Sequence, residues 1–292
     1  VRHSEAKVKL NSHPWGSQKT RNNVLSVGKQ IFALAFRDLS ISSNPLDGID
    51  FSNVQTDEPD PFSIDEIEAM LKVLAARFGD GLSDYYEFAF FTGLRPSEQI
   101  ELQWGSIDER RRCMRIDAVR VRGLPRAGVE TGARNQDGEP SITMSVRKES
   151  TKTHHARDVQ LNERAWAVLA RQKVRTKLAG ASVFLNPHTG RPWQDENKQG
   201  QHFRTALKLA KLRHRAPYQT RHTYATMLLM AGANPAWAAG QLGHSVEVFF
   251  RKYARWIEDA ARHRGELAKL HAFLGDKSSD KSEGRAGFGG EK

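Results

Sequence analysis

From Ser63 to Trp256 the chain alternates runs of apolar residues at helical spacing with short turns marked by glycine, proline and asparagine. That punctuation limits the fold to short helices joined by tight turns. Ser63 with Glu66 three residues on is a capping-box signature, and Ile64, Ile67, Met70, Leu71 and Leu74 form the stripe behind it. Tyr85–Phe91 predicts a second, mostly buried helix; Gly93 permits a tight turn, and Pro96 suits the first position of the next helix. Arg95 then stands beside a helix N-terminus, where backbone N–H groups favour an anion. Asn162 caps a helix to about Lys173, another spans roughly Gly200–Leu212, and Ala231-Gly232 ends the helix of Tyr218–Met230. Asn234-Pro235 starts a helix that Gly243 ends, delivering His244; Tyr253 falls on the short helix that follows, and Ile257–Phe273 reads as a last one. Met114–Val119, Ile142–Arg147 and Arg157–Leu161 read as strands. The expected class is mainly α with a small antiparallel β-sheet, an α+β fold.

The flanks differ. Residues 1–16 are polar and read as irregular. From Ser17 a helix carries Val24, Val27, Ile31, Leu34 and Ala35, with Lys19, Arg21, Lys29 and Arg37 among them. Asn44-Pro45 ends it and Asp47-Gly48 makes a turn. The acidic, proline-containing stretch 53–61 reads as a linker, so 1–52 and 62–275 are expected as domains. Residues 122–140 have four glycines, two prolines and no apolar period, a long loop whose Arg122, Arg126 and Arg134 serve DNA or subunit contact or else mark a flexible insertion. Residues 183–193 are a turn-rich link, and 276–292 have almost no apolar residues and are expected to be disordered. The chain opens on Val1, which predicts upstream sequence.

A formal net charge of +11 favours a polyanionic partner. No apolar run approaches the roughly 18 residues that span a bilayer. Cys113 is the single cysteine, which excludes an intramolecular disulfide framework and fits a reducing cytosol. His154-His155 resemble a metal pair, but neighbours on a strand or turn point apart, and no metal or cofactor is expected.

The chemistry lies in four separated segments. They are FFTGLRPSE with Arg95, ESTKTHHARDVQL with Lys152, YQTRHTYATMLLMAG with Arg221, and LGHSVEVFFRKYARW with His244 and Tyr253. A tyrosine hydroxyl, with a pKa of about 10, is a poor nucleophile at neutral pH. It becomes useful when cations neutralise the phosphate it attacks and a general acid frees the leaving oxygen. Arg95 and Arg221 are assigned to a bidentate phosphate clamp, and Lys152, preferred over Lys148, to the leaving 5′ oxygen. His244 adds a hydrogen bond to phosphate or steers the tyrosine proton, and Tyr253 attacks phosphorus.

Over about residues 18–275 these segments resemble the tyrosine recombinase (phage integrase) family, whose boxes they match in order and interval. The resemblance implies a catalytic domain at 62–275 preceded, in 1–52, by the end of a helical core-binding domain that clamps DNA. It implies site-specific cleavage and rejoining of DNA through a 3′-phosphotyrosyl link, without ATP or an obligatory metal. It further implies double-stranded attachment sites as partners, a homotetramer on DNA, accessory DNA-bending proteins, no membrane, and the nucleoid of a bacterial cytoplasm. The sequence departs from the family at Tyr218, where a histidine usually stands three residues before Arg221. A phenol can donate to phosphate but carries no positive charge, so Tyr218 is an expected site residue with a reduced role. His222 is expected to brace its helix, and Glu98 to order the site or cap a helix. Trp104, Trp166, Trp237 and Trp256 fall on apolar positions and are expected in the core. Two rivals remain, a catalytically silent DNA-binding regulator of the same fold and a type IB topoisomerase-like enzyme.

Overall fold

A computed structural model of the 292-residue chain describes residues 3–53, 58–123, 144–148, 156–194 and 197–260. Two compact units are distinguished, Val1–Glu58 and Pro59–Lys292.

The first unit holds α1 (His3–Ser12) and α2 (Gln18–Arg37). Helix α1 forms where the sequence reads as irregular. It has no apolar face to announce it; Leu10 alone is buried, in a small cluster with Leu25, Leu46 and Ile49, while Trp15 Nε1 donates to the Leu10 carbonyl at 2.7 Å. Ser17 caps α2 by accepting from the Thr20 N–H. The stripe expected on α2 faces outward, since Val24, Val27, Ile31 and Leu34 are exposed and Leu25 is the buried apolar residue. Arg21, one of the four basic residues read along this helix, is buried and donates to Ser52 Oγ at 2.9 Å.

The second unit begins with α3 (Ile64–Phe78), α4 (Asp80–Thr92) and the short α5 (Pro96–Gln99). A single turn of tighter helix at Trp104–Ser106 leads to β1 (Ile107–Asp108), β2 (Cys113–Ile116), β3 (Val119–Gly123), β4 (Met144–Lys148) and β5 (Arg157–Gln160). Among the described residues, the helices that follow are α6 (Glu163–Thr176), α7 (Asn197–Leu209), α8 (Gln219–Met230), α9 (Pro235–Leu242) and α10 (Val246–Ala260). The fold is mainly helical with small antiparallel sheets. The strands order β1-β2-β5 in one sheet, with Met114 opposite both Ile107 and Val159, and β3-β4 form a separate pair. Sequence reading carries one strand from Met114 to Val119; the chain instead leaves the first sheet after Ile116 and pairs anew over Val119–Gly123. Tyr253 and Ile257 share α10, with no break between them. Most of the 122–140 loop, His154-His155, and the chain beyond Ala260 lie outside the described residues. Among those residues no helix is long and apolar enough to cross a membrane, and no cluster of His, Cys, Asp or Glu is arranged to hold a metal ion.

The capping box at Ser63 forms in both directions, Glu66 N–H to Ser63 Oγ and Ser63 N–H to Glu66 Oε2. Ile67, Met70, Leu71 and Leu74 are buried, but Ile64, in the first turn, is half exposed. The core is aromatic: Phe62 meets Phe90 edge-on at 5.1 Å, Tyr86 meets Phe203 at 4.9 Å and Phe88 meets Phe184 at 5.2 Å. Burying each such ring contributes roughly 2–3 kcal/mol. Trp193 is the fully sheltered tryptophan, whereas Trp104, Trp166 and Trp256 pack at the core's margin and Trp237, expected inside, is 39% exposed. A second apolar cluster, with Tyr224, Leu229, Leu242, Phe249 and Tyr253, binds α8, α9 and α10 together.

One glycine joins the two clusters. Gly93 ends α4 in the left-handed region (φ 62°), and a Cβ there would stand 2.7 Å from both Leu242 Cδ2 and Tyr224 Cδ1. The close approach seats α4 against α8 and α9 and aims the Gly93 carbonyl at Arg221. Gly93→Ala is expected to cost about 2–5 kcal/mol from the left-handed backbone and the overpacking together. Urea denaturation checks this, the midpoint falling at unchanged slope.

Candidate active site

Arg95 stands at the N-cap of α5, where Pro96 fixes the first helical φ without wasting an N–H. The side chain of Glu98, wholly buried, reaches back to it. Glu98 Oε2 accepts from the Arg95 backbone N–H at 2.9 Å, and Oε1 from Arg95 Nη1 at 2.7 Å. A second arginine holds the same carboxylate: Arg157 on β5 donates Nη1 to Oε1 at 2.9 Å and Nη2 to Oε2 at 2.8 Å. Burial alone would raise the Glu98 carboxyl. The hydrogen bonds and charge of Arg157, with the charges of Arg95 and Arg221, outweigh it and hold the group at about 2.

These arginines converge on the C-terminal end of α9, the electronegative pole of its dipole. Arg157 Nε donates to the Gln241 carbonyl at 3.0 Å, Arg95 Nη2 to the Gly243 carbonyl at 3.1 Å, and Arg221 Nη2 to the Leu242 carbonyl. Gly243 is left-handed (φ 63°), and a Cβ on it would meet Arg157 Nη1 at 3.0 Å. The turn at Gly243 therefore both caps α9 and leaves room for the guanidinium beneath it.

Arg221 is buried completely on α8. Its Nη1 donates to the Gly93 carbonyl at 2.8 Å, and its Nε has no hydrogen-bond partner. Burial, reinforced by the nearby charge of Arg95, lowers it to about 10, so it remains a cation at neutral pH. His244 follows Gly243, and its Nδ1 is also buried without a partner. Burial and the charges of Arg221, Arg95 and Lys252 bring its imidazole down to about 3.

Tyr253 lies inside this cluster with none of its surface exposed. Its ring is stacked near His244 at 6.3 Å and packs on Phe249 at 5.0 Å. Its hydroxyl meets Nδ1 of His222 at 2.6 Å. Burial pushes the phenol up, against the opposing pull of Arg221. Tyr218 is the exposed member (38%), its ring 5.2 Å from that of His222. A cleft of about 390 Å³, lined by Arg95, Pro217, Tyr218 and Thr220 among others, opens beside it.

The fold thus gathers Arg95, Tyr218, Arg221, His244 and Tyr253 from three segments separated in sequence; Lys152 lies outside the described residues. Sequence reading missed Arg157, an isolated arginine at the start of a strand. It also read His222 as a brace for its own helix, whereas its ring bonds a residue on α10.

Arginines around a buried tyrosine, on this fold, define a recognisable class. Residues 62–258 match the model of the phage integrase family, and the chain belongs to that family, the tyrosine recombinases. Among its relatives, prophage integrase IntR of Escherichia coli (strain K12) is 27% identical over 267 residues, covering 88% of this chain. The chain spans 61% of that relative's length. The fold is shared with the Tn1549 transposon integrase, solved in complex with transposon right end DNA, at a TM-score of 0.67 and 23% identity over 92% of this chain and 85% of that one. It is shared also with lambda integrase, solved as a tetramer bound to a Holliday junction, at a TM-score of 0.59 and 16% identity over 90% of this chain and 66% of that one.

Glu98 sets a pH dependence with a definite sign. A carboxylate lowered from 4.5 to about 2 contributes stability that is present above pH 4.5 and lost as pH falls toward 2, worth about 3 kcal/mol. Glu98→Gln should destabilise the fold by roughly 3–5 kcal/mol at pH 7, because two arginines lose their counter-charge. The gap between variant and parent should narrow as pH drops from 4.5 to 2, read from urea midpoints across that range.

Proposed function

We propose that this chain cleaves and rejoins DNA at specific sites through a 3′-phosphotyrosyl intermediate, with Tyr253 as nucleophile. The observation that carries this reading is that Arg95 and Arg221 meet at the end of α9, next to His244, whose ring lies beside the buried Tyr253. Two nitrogens of that cluster, Arg221 Nε and His244 Nδ1, are buried without partners, which costs about 1–3 kcal/mol each and suits a site made to receive an anion. Family membership and the net charge of +11 support the same substrate class.

In the proposed reaction the Tyr253 oxygen bonds to the scissile phosphorus and the P–O5′ bond breaks. Arg95 and Arg221 bear the charge that grows on the non-bridging oxygens, His244 adds a hydrogen bond, and Tyr218 donates from the open side. Lys152 supplies the proton to the departing 5′ oxygen. Rejoining reverses each bond change, so the phosphodiester energy is kept and no cofactor is needed. Residues 1–52 serve as the end of a DNA-clamping domain and 62–275 as the catalytic domain. A homotetramer on paired attachment sites in the bacterial nucleoid completes the proposal, by likeness to the lambda integrase assembly.

Covalent capture tests it. The protein is incubated with fragmented DNA from its source, and DNA that survives denaturation attached to protein is sequenced. Adducts should fall at one short sequence and vanish in Tyr253→Phe, which binds DNA as before. Scattered adducts would indicate topoisomerase-like relaxation, and binding without adducts a silent regulator. Arg95→Lys should lower the rate at least about 100-fold, since a point charge does not replace a bidentate fork; near-normal cleavage would remove Arg95 from the clamp.

A further inference from the structure

A tyrosine nucleophile needs somewhere to put its proton. The groups around the Tyr253 hydroxyl differ sharply in their fitness to take it. Glu98 is engaged by the guanidinium groups of both Arg95 and Arg157. Tyr218 is a phenol like the donor itself. His244 lies nearly parallel to the Tyr253 ring, 20° between planes at 6.3 Å, and offers it a face rather than a lone pair. His222 differs: its Nδ1 is 2.6 Å from the phenolic oxygen, within the distance for direct proton transfer. It sits one residue after the clamp arginine on α8, so the helix that places a cation for phosphate also places this ring against the attacking atom.

We infer that His222 is the proton acceptor for Tyr253, taking the phenolic proton on Nδ1 as the tyrosine oxygen bonds to phosphorus. This rests on Tyr253 being the nucleophile. The O–H bond of Tyr253 breaks as the O–P bond forms, and its proton passes to Nδ1. The P–O5′ bond breaks, and that oxygen takes its proton from the general acid. In rejoining, a 5′ hydroxyl attacks phosphorus and gives its proton back to the general acid, the P–O bond to tyrosine breaks, and Nδ1 returns its proton to the departing tyrosine oxygen.

The surroundings of the ring make it a weak base that holds a proton only briefly. Tyr218 and Arg221 face it from its own helix, Lys252 and Tyr253 from α10, and His244 from the turn before α10. Burial, with the charges of Lys252 and Arg221, brings the His222 imidazole down to about 3. It is therefore neutral through the physiological range, and the inference requires the tautomer in which Nε2 keeps the ring proton and Nδ1 accepts from Tyr253. The same cations discourage the proton from staying, so it is returned on religation.

The test uses the duplex recovered by covalent capture and follows the rate of adduct formation by the full chain between pH 6 and 9. His222→Gln is the decisive variant. Its amide carbonyl can accept the tyrosine hydrogen bond, so packing and DNA binding should hold, but it cannot take the proton. The rate should fall roughly 10²–10³-fold with unchanged DNA affinity. His222→Ala should show a rate that rises with pH, where the parent is flat, and added imidazole should speed it. Replacing the bridging 5′ oxygen by sulfur removes the need for a general acid; it should relieve Lys152→Ala and leave the His222 variants slow. A His222→Gln rate within about threefold of the parent would overturn the assignment, as would recovery by the sulfur substrate. Nitrogen NMR of the parent provides a measurement independent of any variant: Nδ1 should be the unprotonated ring nitrogen, and a proton found on Nδ1 overturns the inference. If the parent forms no adduct on any DNA, the reading of Tyr253 as nucleophile fails first and this inference with it; parent adducts with an unaffected His222→Gln sink the inference alone.

Discussion

The Glu98 carboxylate, buried among arginines, is the contact on which the arrangement of the site depends. Arg95, Arg157 and Arg221 meet in a region with little water, and without a negative charge among them they would repel one another. Buried charge is expensive, and ion pairs inside proteins often add little net stability. What this one supplies is definition. Both carboxylate oxygens are used twice, by four donors from two residues, so neither arginine keeps an alternative orientation. Arg157 then links that fixed pair to the Gln241 carbonyl, and Gln241 itself accepts from the Gln160 N–H at 2.7 Å. A loop-borne arginine, a strand and a helix end are tied in one knot.

The end of α9 is the other half of this arrangement. Its last carbonyls would be orphans in a buried helix terminus. They are satisfied by guanidinium groups, at Gln241 by Arg157, at Leu242 by Arg221 and at Gly243 by Arg95. The cations gain a partial negative charge to lie against, and the helix gains a cap. The glycine at 243 is required twice, for its left-handed backbone and for the guanidinium packed against its α carbon. The same economy holds at Gly93, whose carbonyl receives Arg221 because the chain can turn there without a side chain.

Local signals were legible before any coordinates. Caps at Ser63, Asn162 and Asn234 announce helices that form where expected, because capping depends on residues only two or three apart. The mainly helical class with a small sheet follows from spacing alone. The boxes around Arg95, Arg221, His244 and Tyr253 could be read because their order and intervals resemble those of the tyrosine recombinases. What escaped depends on partners far along the chain. Helix α1 has no amphipathic pattern and rests on Leu10 meeting residues some fifteen to forty positions away. The α2 stripe has the right period and faces outward, since periodicity reports a face and says nothing about what covers it. Arg157 is an unremarkable residue until Glu98, 59 positions earlier, is beside it. His222 is adjacent to Arg221 in sequence, yet its meaning comes from α10.

The complete burial of Arg221 has a consequence for timing. A guanidinium in water must shed its hydration before it can bear on a phosphate at close range, and that reorganisation slows any reaction that waits for it. Here folding has already stripped the water from Arg221 and replaced it with the fixed carbonyls of Gly93 and Leu242. In the proposed reaction the cation therefore stands in its reacting environment before DNA arrives, in surroundings whose dipoles are fixed by the fold. On that proposal, the desolvation of this group is completed when the protein folds, and need not be repeated with each turnover.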